Sequence, residues 1–206
     1  GRGEFDQRRR TSRTLGLIWT MESLRRQSTR GANLKSESGI AFMHSDVDYR
    51  CVAPGMLRLP SILSDHMVLQ QDQPVRIWGW AAPHSKVWVV FEEHRVETTA
   101  LENGSWQVML PALTADDTGK ELIIRSEPGA QQLVIHDVVV GELWLCSGQS
   151  NMAVGLAEMN GDRPVRESDD SKLRFFQTGF HAPSEPAGDC QGRWEVSCPE
   201  SAESFS

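Results

Sequence analysis

Residues 138–152 read VVVGELWLCSGQSNM, and this stretch constrains the fold more than any other. Val138, Val139 and Val140 are followed by Leu143, Trp144, Leu145 and Cys146, a short run rich in β-branched and aromatic residues. Such a run, interrupted and bounded by glycine, is the pattern of a buried strand. Ser147-Gly148-Gln149-Ser150-Asn151 then ends the strand sharply. A junction of this kind can lift a serine hydroxyl off the edge of a sheet, and Gly148 permits close approach by a substrate or another backbone. Met152, Leu156 and Met159 follow at helical spacing, with Ala153 and Ala157 beside them, so the spacing predicts a strand–turn–helix unit. Gly155 weakens that helix by about 1 kcal/mol. Backbone N–H groups in the first turn of such a helix are free to stabilise an oxyanion. The general nucleophile-elbow pattern is G-x-S-x-G, and here Met152 stands where the second glycine belongs. On pattern alone, a serine in a glycine-containing turn is more often a turn residue or a helix cap.

Upstream, residues 57–137 have the texture of many short strands. Val75 to Trp80 alternates with Val75, Ile77 and Gly79 on one side, and Lys86 to Phe91 places Val87, Val89 and Phe91 on one face. Further strands are expected at 95–100, 106–110, 121–126 and 132–135. Asn103-Gly104 between alternating runs is a hairpin signal, because both residues tolerate positive φ. Regular short strands with turns between them predict a sandwich-like β-domain. Trp78, Trp80 and Trp88 fit two readings, core packing and an exposed sugar-stacking platform, and core packing is the commoner use of tryptophan in a small β-domain. After 150, residues 172–177 form another strand candidate, flanked by loops around Pro164, Pro183 and Pro186.

Residues 1–56 differ. They hold ten Lys or Arg against six Asp or Glu, whereas the rest of the chain holds eleven against twenty-two, and the net charge is −7. A polar, basic leader with little periodicity is expected to be disordered, with a short helix near 15–26 as the alternative. Arg8-Arg9-Arg10 reads as a solvated cluster, and the acidic body argues against nucleic acid as a partner. No apolar run approaches the ~18 residues of a membrane helix, and Leu15 to Trp19 is too short for the core of a signal peptide. The chain opens on Gly rather than Met, and a natural start elsewhere is expected. Cys146 is expected as a reduced thiol in the strand. Cys190 and Cys198 are placed either to pair in an oxidising compartment or to remain free, and the absence of a C-x-x-C pair leaves a zinc site unsupported.

GELWLCSGQSNM resembles the nucleophile block of the sialate O-acetylesterase family, a branch of the SGNH-type hydrolases. LPSILSDHMVLQ (59–70) resembles that family's opening strand and VRIWGW (75–80) its second, while 172–176 and WEVSCPESAESF (194–205) are similar to segments that follow the nucleophile. The resemblance covers about 57–206. It implies a β-rich, sandwich-like domain (57–137) after the basic leader (1–56), followed by the incomplete start of an α/β SGNH-type hydrolase domain (138–206). It maps the nucleophile onto Ser150, leaves Gly148, Gln149 and Asn151 as weaker oxyanion or substrate candidates, and implies an O-acetylated sugar as substrate, with no cofactor and no metal. In this family a D-x-x-H histidine acts as base. None of the six histidines here (His44, His66, His84, His94, His136, His181) stands in that pattern. His66, His84, His94 and His136 are read as turn or surface residues and His181 as a loop residue. The resemblance therefore implies a C-terminally truncated hydrolase, inactive on its own. Removal of O-acetyl groups from sialic acid is the expected activity, with acetylxylan or polysaccharide esterase, or a non-catalytic carbohydrate-binding β-module, as alternatives. By resemblance the compartment is extracellular, periplasmic or lysosomal.

Overall fold

A computed structural model describes residues 15–21, 55–148, 154–160, 165–178 and 188–205. Among the described residues ten strands dominate, with two short helices and a further helical end at 165–166. They run in the order β1 (Leu15–Met21), β2 (Val68–Gln70), β3 (Pro74–Trp80), β4 (Lys86–Phe91), β5 (His94–Thr99), β6 (Ser105–Ala112), β7 (Asp116–Glu127), β8 (Gln131–Gly148), α1 (Leu156–Asn160), β9 (Asp170–Gln177), β10 (Trp194–Ser197) and α2 (Pro199–Ser204).

β8 organises the molecule. Its first half pairs antiparallel with β7, from Ser126↔Gln131 to Asp116↔Val140, and Val139 to Gly141 also pair in parallel with β2. Its second half, Glu142 to Gly148, pairs in parallel with β1. The sheet order is β10-β9-β1-β8-β7-β4-β5, and β3 and β6 form a separate two-stranded ribbon. The position 137/138 therefore falls inside one continuous strand, so the β-rich region and the parallel strands share a sheet.

The inward side chains of the ribbon, Ile77, Trp106, Val108 and Leu110, join those of β4, β7 and β8 in one core with Val87, Val89, Phe91, Leu122, Ile124 and Val138. Period-2 alternation explains the division: on β3, Ile77 and Gly79 are buried while Arg76, Trp78 and Trp80 face outward. A Cβ at Gly79 would crowd the Arg58 carbonyl and lie 2.9 Å from Trp106 Cζ2. Gly79→Ala is expected to overpack this site and cost about 1–3 kcal/mol, read as a lower urea midpoint with an unchanged slope.

Four expectations change. Leu15–Met21 is a strand between β8 and β9, neither disordered nor helical, because β8 and β9 each offer it a complete parallel ladder. Asn103-Gly104 does make a tight turn, with Gly104 at φ +80° and Asn103 Oδ1 accepting from Ser105 N–H at 3.0 Å. Its flanking strands, however, do not pair: β5 joins β4 and β6 joins β3, so the turn passes the chain from sheet to ribbon. The buried strand at 138–146 is buried only as far as Gly141. Trp144 and Leu145 are exposed, since no described element lies over them. Trp78, Trp80 and Trp88 are half-buried at the surface, and among the described residues Trp106 and Trp194 are the tryptophans in the core. Cys146, Cys190 and Cys198 are free thiols, all half-buried.

Candidate active site at the carboxyl end of the parallel strands

β8, β1 and β9 run in the same direction, with Met21 opposite Gly148 and Gln177 opposite Trp19. Their carboxyl ends thus lie along one edge, where open parallel sheets place their ligands. Gly148, half-buried, is the last residue of β8, so the chain leaves the sheet at this edge. Gln149, Ser150 and Asn151 lie outside the described residues, as do Met152 and His181. Chain direction and register fix the edge at which the described part of β8 ends, at Gly148, two residues before Ser150 in sequence.

The far side of the turn is anchored. α1 begins at Leu156, eight residues after Gly148, as strand–turn–helix spacing requires. It is shorter than the periodicity of 152–159 predicts. The Leu156 N–H donates to the Phe205 carbonyl at 3.4 Å, and the Phe205 ring stacks on Phe175 of β9 with centroids 4.3 Å apart. α2 starts on a capping arrangement in which Ser201 Oγ accepts from the Cys198 N–H at 3.0 Å and donates to the Val196 carbonyl at 2.8 Å. β10 and α2 hold Phe205 against β9, and Phe205 in turn holds the start of α1.

The described histidines are elsewhere. His66 Nδ1 lies 2.7 Å from Asp137 Oδ2. Asp137 sits eleven residues before Gly148, on the order of 35 Å along the strand at about 3.3 Å per residue. His136 pairs with Glu121 at 3.2 Å and His94 lies 3.7 Å from Glu93, both in the antiparallel region. His84 occupies a positive-φ turn before β4. The sequence reading of these four as turn or surface residues agrees with their positions.

One charged cluster escaped sequence reasoning. Arg174 of β9 is buried at 4% exposure, and its Nη1 donates to Asp137 Oδ2 at 2.7 Å. Burial alone would raise the Asp137 carboxyl, but hydrogen bonds from Arg174 and His66, with their charges, outweigh it and hold the group below its ordinary value. The available signal was an arginine inside the apolar run Leu173-Arg174-Phe175-Phe176, a position that an unpaired cation does not occupy. Among the described residues, no group of three or more His, Cys, Asp or Glu side chains could hold a metal ion. No helix among them is long and apolar enough to cross a membrane.

No family model matches the chain. Curated relatives and a solved structure do. The Homo sapiens sialate O-acetylesterase is 27% identical over 113 residues, covering 50% of this chain and 21% of the relative. The Mus musculus enzyme is 29% identical over 111 residues, covering 50% and 20%. A carbohydrate acetylesterase from Xanthomonas citri, described as novel, superposes with a TM-score of 0.69 at 34% identity, over 73% of this chain and 34% of that one. These likenesses support a sialate O-acetylesterase-like family for the matched part of the chain. The chain spans about a fifth of the length of the mammalian sialate O-acetylesterases and about a third of the bacterial structure. The relatives it matches are named as esterases.

Proposed function

We propose that the protein is a serine carbohydrate O-acetylesterase of the SGNH type, with Ser150 as nucleophile and the O-acetyl group of a sialic acid as substrate. The observation that carries this reading is the convergence of the carboxyl ends of β1, β8 and β9 near Gly148, the first residue of GQSN. In this reading residues 57–137 form the β-rich, sandwich-like support and 138–206 open the hydrolase domain, with β8 running through both. The Ser150 oxygen attacks the acetyl carbonyl while a base takes its proton. The oxyanion is held by backbone N–H groups after the turn, with Gly148 giving room for approach and the Gln149 and Asn151 amides orienting the acyl group. The tetrahedral species collapses, the sugar hydroxyl leaves with the proton, and water releases acetate from the acyl-serine. No cofactor enters these steps.

No described histidine stands near Gly148, so the reading assigns the base to a residue outside the described set, and the 206-residue chain by itself is proposed to be inactive. The compartment is proposed to be extracellular, periplasmic or lysosomal, with no role in nucleic-acid binding. A fluorophosphonate probe tests the reading. It should label Ser150 in the protein extended by whatever its gene encodes beyond Ser206, and an unlabelled serine there would sink the esterase assignment. A second reading, a polysaccharide acetylesterase, is favoured by the bacterial relative, whose description specifies carbohydrate rather than sialic acid. Acetate release from O-acetyl sialic acid against acetylated xylan separates the two.

A further inference from the structure

A second cleft lies on the outer face of the β3–β6 ribbon, which is separate from the sheet that carries Gly148, and Gly148 does not line it. Alternation along β3 turns Arg76, Trp78 and Trp80 outward, and the ribbon register sets Trp78 beside Gln107 and Trp80 beside Ser105. The end of β5 supplies a wall through Thr98 and Thr99. Together these side chains line an open cleft of about 600 Å³.

Two large aromatic rings at the surface of a soluble domain leave apolar area in water, at about 25 cal/mol per Å². A ligand that covers them recovers that energy. The cleft's rim narrows the choice of ligand. It consists of hydroxyls and an amide, groups that both donate and accept, and among the described residues no carboxylate lines it. An aromatic floor with a hydroxyl-and-amide rim is complementary to a pyranose ring, which has apolar C–H faces and hydroxyl edges. The one lining cation among the described residues adds a preference: the Arg76 guanidinium lies over the Trp78 ring, 5.1 Å from its centre, able to face a carboxylate on a sugar held beside it. Trp80 is steadied by Arg58, whose guanidinium lies 3.7 Å over its ring.

We propose that this cleft is an accessory glycan-binding subsite: a pyranose ring lies on Trp78, its hydroxyls meet Thr98, Thr99 and Gln107, and a carboxylate-bearing sugar gains a further bond from Arg76. The inference shares with the esterase reading only carbohydrate as the ligand class, and it needs no catalysis. It assigns to Trp78 and Trp80 the platform role that sequence composition favours less than core packing.

Titration of tryptophan fluorescence, with saturation-transfer NMR in parallel, tests it on the intact chain. The probes are two unacetylated oligosaccharides, one sialylated and one neutral xylo-oligosaccharide, so that no ester bond is offered. Saturable binding of the sialylated glycan is expected, weakened about tenfold or more by Trp78→Ala and largely kept by Trp78→Phe. Arg76→Gln should weaken the sialylated glycan and leave the neutral one unchanged. Ser150→Ala should leave both unchanged, which separates this subsite from the esterase centre. Absence of saturable binding by either glycan, or binding indifferent to Trp78→Ala in a variant with wild-type circular dichroism, overturns the subsite whatever the fluorophosphonate result.

Discussion

Ser150→Ala is expected to abolish fluorophosphonate labelling and to lower acetyl-ester turnover of the extended protein at least about 10³-fold, while Ser147→Ala leaves both within about threefold. The contrast follows from strand geometry. Ser147 and Gly148 are the last two residues of β8, and their backbones pair with Thr20 and Met21 of β1. Ser147 is therefore held in the sheet, with its side-chain direction set by the pleat, whereas Ser150 stands three residues further on in sequence, past the last paired residue of β8. A nucleophile must reach an acyl carbon along an open trajectory and hand its proton to a base within hydrogen-bond reach. Only a residue beyond the sheet edge has that freedom. The loss on removing the hydroxyl is large because attack, proton transfer and acyl-enzyme formation all pass through it, so no partial pathway remains except binding and oxyanion stabilisation. Equal loss from both serines would place the chemistry elsewhere, and so would full activity of Ser150→Ala. Aryl acetate hydrolysis at equal protein concentration, with labelling read by intact mass, checks both variants.

Strands whose partners are near in sequence were the easiest to read. β3, β4, β6 and β7 show clean alternation because one face meets the core and the other meets water, and their buried residues are the ones the period-2 pattern selects. β1 was not legible. LGLIWTM lies among arginines and serines, with neither alternation nor turn signals of its own. What makes it a strand is the pair of ladders offered by residues more than 120 positions away, a tertiary effect that overrides local composition. Asn103-Gly104 shows the converse: the turn chemistry was right, but a turn states only that the chain reverses, not which neighbour each arm will take. At the site, the strand before the serine and the helix after it were legible from residue spacing. The role of Ser150 came from family resemblance, because a Gly-x-Ser turn alone is common in structural settings. For Arg174 the apolar run signals that a buried cation needs a partner but not which one, and that partner lies 37 residues upstream.

That partner carries the second large effect. Asp137→Asn is expected to destabilise the fold by about 3 kcal/mol, lowering Tm by roughly 6–12 °C. Asparagine keeps the size of the side chain and tolerates the left-handed backbone of Asp137, at φ +55°, so the substitution removes charge without disturbing the bulge. The bulge lies within the β7–β8 ladder, where the register shifts between the Leu122↔Ile135 and Lys120↔Val138 pairs, and Gly119 lies so close that a Cβ there would collide with the Asp137 carboxylate. From this point the carboxylate reaches Arg174 of β9 and His66 of the turn before β2, tying together elements that share no backbone ladder with one another. Losing the charge leaves the guanidinium buried with only neutral acceptors, the carbonyls of Ser171 and His66 at 3.2 Å and of Asp137 at 3.3 Å. Asp137 is itself about a third exposed, so solvent screens part of the effect and the expected cost stays at the low end for a broken buried pair. Because the folded carboxyl titrates below its ordinary value of 3.8, the stability it contributes is present above about pH 4 and is lost as pH falls through the lower folded value. The wild type and Asp137→Asn should therefore differ most near neutrality and converge in acid. The double variant Asp137→Asn/Arg174→Met should recover part of the loss, since it removes the stranded cation together with its counter-charge. Thermal melts of the three variants at pH 7 and pH 3 decide the matter. A double variant at least as unstable as the sum of the two singles, or a difference that does not shrink in acid, would show that the cluster contributes through packing and not through charge.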